Sequence, residues 1–189
     1  MNSLHRSLSE NISLFKKTMT TPDGVQCYSE EEIDKLVELR FFSAPASTKS
    51  HSAYEGGLFD HSRRVTELLV QYTKDNHLEW KDPQSPYIVG MYHDICKCDQ
   101  YTKLDEPDEH GRWWKFFPHT PVDGHGDKSV IILSTFMTLT EEEMMCILYH
   151  MGVSADKSNW GRFNMAIKKF PNVLWAHVAD TYASQIERC

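Results

Sequence analysis

The sequence predicts an all-α fold, a helical bundle carrying one small β-hairpin. Three observations support that expectation. Apolar residues recur at three- and four-residue spacing along much of the chain. Two of these runs open on a serine or threonine with acid in the first turn, where a hydroxyl and a carboxylate satisfy amide groups that a helix start leaves unpaired. Between residues 99 and 118 the helical pattern breaks into aromatic-rich arms around a DEPDEHG turn, which reads as a hairpin.

The elements follow in order. Leu4, Leu8, Ile12 and Phe15 place one apolar stripe on a helix over 3–19. TTPDG at 20–24 turns the chain. Ser29, followed by Glu30, Glu31 and Glu32, caps a second helix that runs through Leu39. PASTKSHSAYEGG at 45–57 is loop. Val65, Leu68 and Leu69 mark the core face of a helix from about Leu58 to Tyr72, and Pro86 opens another that reaches about Ile95. After the hairpin, helices are expected at about 125–138, 140–150, 161–170 and 172–187, with Thr140 and Glu143 as the two ends of a capping box. MGVSADKSNW at 151–160 is a loop of the length that often carries function.

Length and composition narrow the function classes. A chain of 189 residues suits a single domain over 1–189, with 1–44 as N-terminal helices packed on a core at 45–185. The net charge of −7 argues against a large nucleic-acid interface, though a metal can supply the local positive charge that a small nucleotide needs. No apolar run reaches the length of a membrane span, and the N-terminus lacks the apolar stretch of a secretory signal. The odd count of five cysteines suggests reduced thiols and a cytoplasmic location. Cys96 and Cys98 do not have zinc-knuckle spacing and read as ordinary half-buried thiols.

Ten histidines are the unusual count, and several stand in short polar phrases. GGLFDHS holds His61, YHDICK holds His93 and Asp94, DGHGDKS holds His125, LYHMG holds His150, and HVADTYAS holds Asp180. Imidazole and carboxylate are the ligands that suit divalent zinc, manganese and iron. His93 and Asp94 would diverge in mid-helix but can turn toward one centre at a helix end. The other ligands would come from facing helices, as in bundle metal sites. Any one of these histidines alone reads as structural. Asp180 is harder to read so, because a carboxylate set among Ala176, Ala179 and Ala183 is expensive to bury without a metal or a cation.

The order His61, His93-Asp94, Asp180 resembles the HD superfamily of metal-dependent phosphohydrolases, which is named for that doublet. His125 and His150 between them resemble its two-metal branch, and PASTKSHSAYEGGLFDHS resembles the HD domain of bacterial 3′→5′ exoribonucleases. The resemblance spans about residues 45–185 and implies an HD-domain helical bundle. It also implies that His61, His93, Asp94 and Asp180 hold one metal, and that Asp94 bridges to a second held by His125 and His150. The metals would be two divalent ions from among manganese, iron, zinc, nickel and cobalt. Asp94 and Lys97, the latter at the HDxxK position, would then be catalytic. Lys97 would contact phosphate or assist the leaving group; a solvated helix-end lysine is the alternative reading. Arg64 and Lys128, each three residues after a motif histidine, and His51, in the loop before the first motif, are candidates for substrate contact.

Three functions are compatible with these residues. Hydrolysis of a phosphoester or phosphoanhydride in a nucleotide or short oligonucleotide is the expectation. An HD-fold di-iron oxygenase acting on a small polar substrate would use the same ligand order. A binding module without catalysis would have no reason to keep six ligands. The acidic charge and the absence of room for a separate RNA-binding domain point to a small phosphorylated substrate rather than processive RNA degradation.

Overall fold

Side-chain capping sets where the helices start. In the computed structural model, which describes residues 6–50, 52–117, 122, 124–153 and 159–189, Ser7, Ser29 and Thr140 each close a capping box with Glu10, Glu32 and Glu143. These boxes open α1 (Leu8–Thr18), α2 (Glu30–Glu38) and α6 (Glu141–Leu148). The first helix therefore begins later than its apolar stripe suggests, because Ser7 takes the capping position.

The long helix α3 (Gly57–Asp75) packs along α4 (Ser85–Tyr92), and every residue of α4 is buried. A helix that is apolar on all sides belongs in the interior. Gly90 makes the close approach: a Cβ there would lie 2.5 Å from the Thr66 Cα on α3. Further on, α5 (His125–Leu133) approaches α6 through Gly126, where a Cβ would collide with the Leu148 carbonyl. α7 (Asn159–Lys169) and α8 (Asn172–Thr181) complete the bundle. The chain then widens into a π-helical stretch over Tyr182–Glu187, rather than continuing the α-helix to 187.

The expected helix to Ile95 instead ends at Tyr92, and a 3₁₀ turn covers Ile95–Asp99. The hairpin pairs β1 (Tyr101–Lys103) with β2 (Trp114–Phe116) in antiparallel register, Tyr101 opposite Phe116. Its aromatic face does not pack as a whole on the bundle. Trp114 is buried, but Trp113, Phe116 and Phe117 stay exposed. All strand structure is confined to this hairpin and one isolated bridge between Thr20 and Gln26, so the fold is all-α with a small β-hairpin among the described residues. Among the described residues, no helix is long and apolar enough to cross a membrane.

The apolar core is richest in aromatic rings where α1 and the segment after α2 meet α3. Phe42 stands edge-on to Phe59 at 5.2 Å, to Phe41 at 5.5 Å and to Phe15 at 5.8 Å. Offset and edge-on pairs place the positive ring edge against the negative ring face, which stabilises them beyond their area burial.

Candidate metal centre

The helix ends deliver the HD doublet to one point. His93 caps the C-terminus of α4, and Asp94 follows with φ −109° and ψ 18°, outside the helical region. That break lets both side chains enter one interior, to which His61 projects from α3, His150 from just past α6 and Asp180 from α8. All five residues are buried, His61 and His150 at 0% exposure. The structure thus brings together five of the six residues proposed from the sequence as metal ligands, from four helices and the turns at their ends.

The protonation pattern of the imidazoles is set by the backbone. His93 donates from Nδ1 to the Gly90 carbonyl at 2.9 Å, and His150 from Nδ1 to the Ile147 carbonyl at 2.7 Å. His61 donates from Nδ1 to the main-chain oxygen of Cys189 at 2.8 Å. Carbonyl oxygens only accept, so in each neutral ring the proton sits on Nδ1 and the Nε2 lone pair faces inward. The result is electrostatically incomplete. His61 and His93 oppose their Nε2 atoms at 3.3 Å, and Asp180 Oδ1 lies 3.1 Å from His61 Nε2 and 3.7 Å from His93 Nε2. Asp94 Oδ2 stands 3.6 Å and 3.5 Å from the same two nitrogens. Carboxylates and imidazole Nε2 atoms gathered this closely at low dielectric are stabilised by positive charge among them, supplied by ring protons or by a metal ion.

A transition metal fits that arrangement. Two donors ~2.1 Å from one ion and separated by ~90–120° lie roughly 3.0–3.6 Å apart. The five separations above, 3.1–3.7 Å, fall in or within a tenth of an ångström of that range. His150 Nε2 and Asp94 Oδ1 face each other at 3.4 Å, yet both are buried atoms without a hydrogen-bond partner. Native interiors rarely leave such atoms unmade unless something else binds them. His, Asp and Cys side chains here could hold a metal in three overlapping groups: His61, His93 and Asp94; His93, His150 and Asp180; and Asp94, Cys96 and His125.

Electrostatics agree with a site organised around charge. Burial opposes ionisation of Asp94, but Lys97 and His93 beside it outweigh that and hold its carboxyl well below the usual range. Asp180 is likewise held low, its burial outweighed by His61 and the neighbouring histidines. Burial pushes His93 and His125 down, toward the neutral ligand form. His150 moves up, because the Asp94 carboxylate outweighs the burial penalty. Lys97 is buried with Nζ 2.6 Å from Asp94 Oδ2, and that carboxylate raises it despite desolvation. A lysine buried in an ion pair with Asp94 is not a solvated helix-end lysine. Asp94, Lys97 and Asp180 line a cavity of about 150 Å³ together with Met151, Thr181 and Ser184.

The remaining candidates sit at different distances from this centre. His125, the first residue of α5, lies at the edge beside Cys96, with Nδ1 3.4 Å from the Cys96 sulfur; His150 is grouped with His93 and Asp180 instead. Lys128 is buried and pairs with Asp99. Arg64 is clamped by Glu187 and Glu67, so it ties α3 to the π-helical end of the chain. His51 lies outside the described residues.

Cys96, Thr181 and Ser184 are not singled out by the sequence, whereas His177, three residues before Asp180, can be read from it as a support for the site. Cys96 is fully buried rather than half-buried, and its thiol is pushed up to about 12, chiefly by burial. Its position two residues after Asp94 in a tight turn was the available signal. His177 Nδ1 donates to the His150 carbonyl at 2.7 Å and so fixes the peptide that carries a candidate ligand. Thr181, the last residue of α8, and Ser184, in the π-helical stretch that follows, both line the cavity. π-Helical turns recur at functional sites. No family model, curated protein or solved structure matches the chain.

Proposed function

We propose that the chain is an HD-type metal-dependent phosphohydrolase that acts on a phosphoester or phosphoanhydride of a nucleotide or short oligonucleotide. The observation that carries this reading is the buried convergence of three Nε2 lone pairs and two carboxylates beside a lysine-lined cavity. His61, His93, His150, Asp94 and Asp180, with His125 at the edge, would hold two divalent ions from among manganese, iron, zinc, nickel and cobalt. Such ions, when bound, supply a water of lowered pKa and polarise phosphoryl oxygens.

The chain's own residues set the rest. Lys97 reaches both Asp94 and the cavity, so its ammonium can neutralise a phosphate oxygen there. The Thr181 and Ser184 hydroxyls can donate to the same group. Arg64 and Lys128 are held by their own carboxylates and fit substrate contact less well than Lys97. The small cavity and the net charge of −7 favour a small phosphorylated substrate over an RNA tract. Five free thiols agree with a reducing compartment such as the cytoplasm.

The test is phosphate or nucleoside monophosphate release from a nucleotide panel, with added Mn²⁺ against a chelated control and beside an oxygen-uptake trace with ferrous iron. Metal-dependent cleavage is expected. Lys97→Ala should lower turnover by about 10²-fold while leaving metal content unchanged. Substrate-dependent oxygen uptake without cleavage would replace the hydrolase reading with an oxygenase.

A further inference from the structure

We propose that Cys96 is a metal ligand, and that the chain's second ion sits in an Asp94–Cys96–His125 set that takes zinc or cobalt in preference to manganese or magnesium. This rests on the metal-dependent reading above and specifies its second site.

The geometry is that of donors able to share an ion. One ligand atom each from Asp94, Cys96 and His125 lie within 4.8 Å of one another. The Cys96 sulfur is 3.4 Å from His125 Nδ1. A sulfur ~2.3 Å and a nitrogen ~2.05 Å from one tetrahedral ion would lie roughly 3.6 Å apart. The Cys96 backbone N–H is bonded to the Ser129 hydroxyl at 3.3 Å, which ties the turn that carries the sulfur to α5, the helix that carries His125. Asp94 Oδ1 and Gln100 Oε1 are buried acceptors without a hydrogen-bond partner, and the Gln100 carboxamide nitrogen lies 3.5 Å from the same His125 nitrogen. Both residues are more than nine-tenths buried.

The chemistry then selects the ion. Thiolate is a soft ligand that favours zinc and cobalt, whereas manganese and magnesium prefer oxygen sets. Binding exchanges the thiol proton for the metal: the S–H bond breaks, a metal–sulfur bond forms, and the proton leaves to solvent. Asp94 would remain the residue common to both ions. His150 would belong with His93 and Asp180, where the structure puts it, rather than with His125.

The experiment is cobalt and zinc loading of the full chain. Two Co²⁺ per chain are expected, with a thiolate-to-cobalt charge-transfer band in the near ultraviolet. The band should persist in Cys98→Ser and disappear in Cys96→Ser, which should bind one ion with normal affinity and the second at least about tenfold more weakly. X-ray absorption of the zinc-loaded wild type reads the sulfur shell at about 2.3 Å without any variant, so a misfolded Cys96→Ser does not block the test. Cobalt or zinc bound with only nitrogen and oxygen neighbours overturns the sulfur ligand and leaves the metal-dependent reading intact. Failure to bind any metal overturns both.

Discussion

Two interiors meet on α3, and they are built on opposite rules. Phe59 and His61 are two residues apart, so their side chains leave the helix on opposite sides. Phe59 joins the ring cluster of Phe41 and Phe42, edge-on to both. His61 joins a cluster in which lone pairs oppose one another and buried acceptors lack partners. Tyr92 and His93 repeat the division at the end of α4, with Tyr92 beside Phe15 and His93 beside His61. The aromatic interior stabilises the fold as it stands. The polar interior could hold a metal, and on the proposed reading its stability should depend on that metal while the other's does not.

The largest expected effect is at the aromatic end. Phe15→Ala empties a fully buried site and should lower stability by about 3–5 kcal/mol. Denaturant unfolding should return the same loss in metal-loaded and chelated protein. A loss that changed with chelation would break the separation of the two interiors.

The next effect belongs to the polar end. Free metal at about a hundred times its dissociation constant should stabilise the wild type by about 2.7 kcal/mol, and chelation should remove that increment. Asp180→Ala should reduce the chelator response without abolishing it, because one carboxylate of the first site is gone while the Asp94–Cys96–His125 set is untouched. A chelator response undiminished in Asp180→Ala would show that Asp180 does not hold a stabilising metal.

A smaller effect should link the two. Gly90 is where α3 and α4 touch, and an alanine there must push Thr66 away. Overpacking of this kind costs about 1–3 kcal/mol. Because His61 and His93 ride on those two helices, Gly90→Ala should also weaken metal binding, measured by titration calorimetry, without altering any ligand.

The two interiors were unequally legible in the sequence. Periodicity and caps located α2, α3 and α6 because each is decided locally, by residues such as Ser29, Val65 and Thr140. The ends of α1 and α4 were misjudged for tertiary or cap-specific reasons: Ser7 competes for the cap, and the chain leaves the helix at His93 to turn Asp94 inward. The five convergent site residues were found because imidazole and carboxylate in short polar phrases are chemically distinctive. Cys96 was passed over because a buried thiol resembles an apolar residue until its neighbour is known. Whether Arg64 and Lys128 point at a substrate or at a carboxylate depends on Glu187 and Asp99, and for Arg64 that partner lies far along the chain.

The smallest expected effect is the pH dependence of the metal-free protein, and its shape follows from opposed shifts within the polar interior. His150 is raised from its ordinary value of 6.5, so its contribution is full below 6.5 and fades as pH rises through the folded-state value. His93 and His125 are lowered from 6.5, so their contribution is full above 6.5 and is lost as pH falls toward their folded-state values. Asp94 and Asp180 are lowered from 3.8 and add a further loss only below that pH. Stability of chelated protein should therefore peak near pH 6.5 and decline on both sides. The phenylalanine rings of the aromatic interior do not titrate. Bound metal occupies the Nε2 positions, so the decline on the alkaline side should vanish in loaded protein, and His150→Gln should remove the same limb in chelated protein. Denaturant midpoints measured from pH 5 to 8, with and without chelator, read this directly. An alkaline limb that persisted in His150→Gln would show that the proton responsible sits outside the cluster.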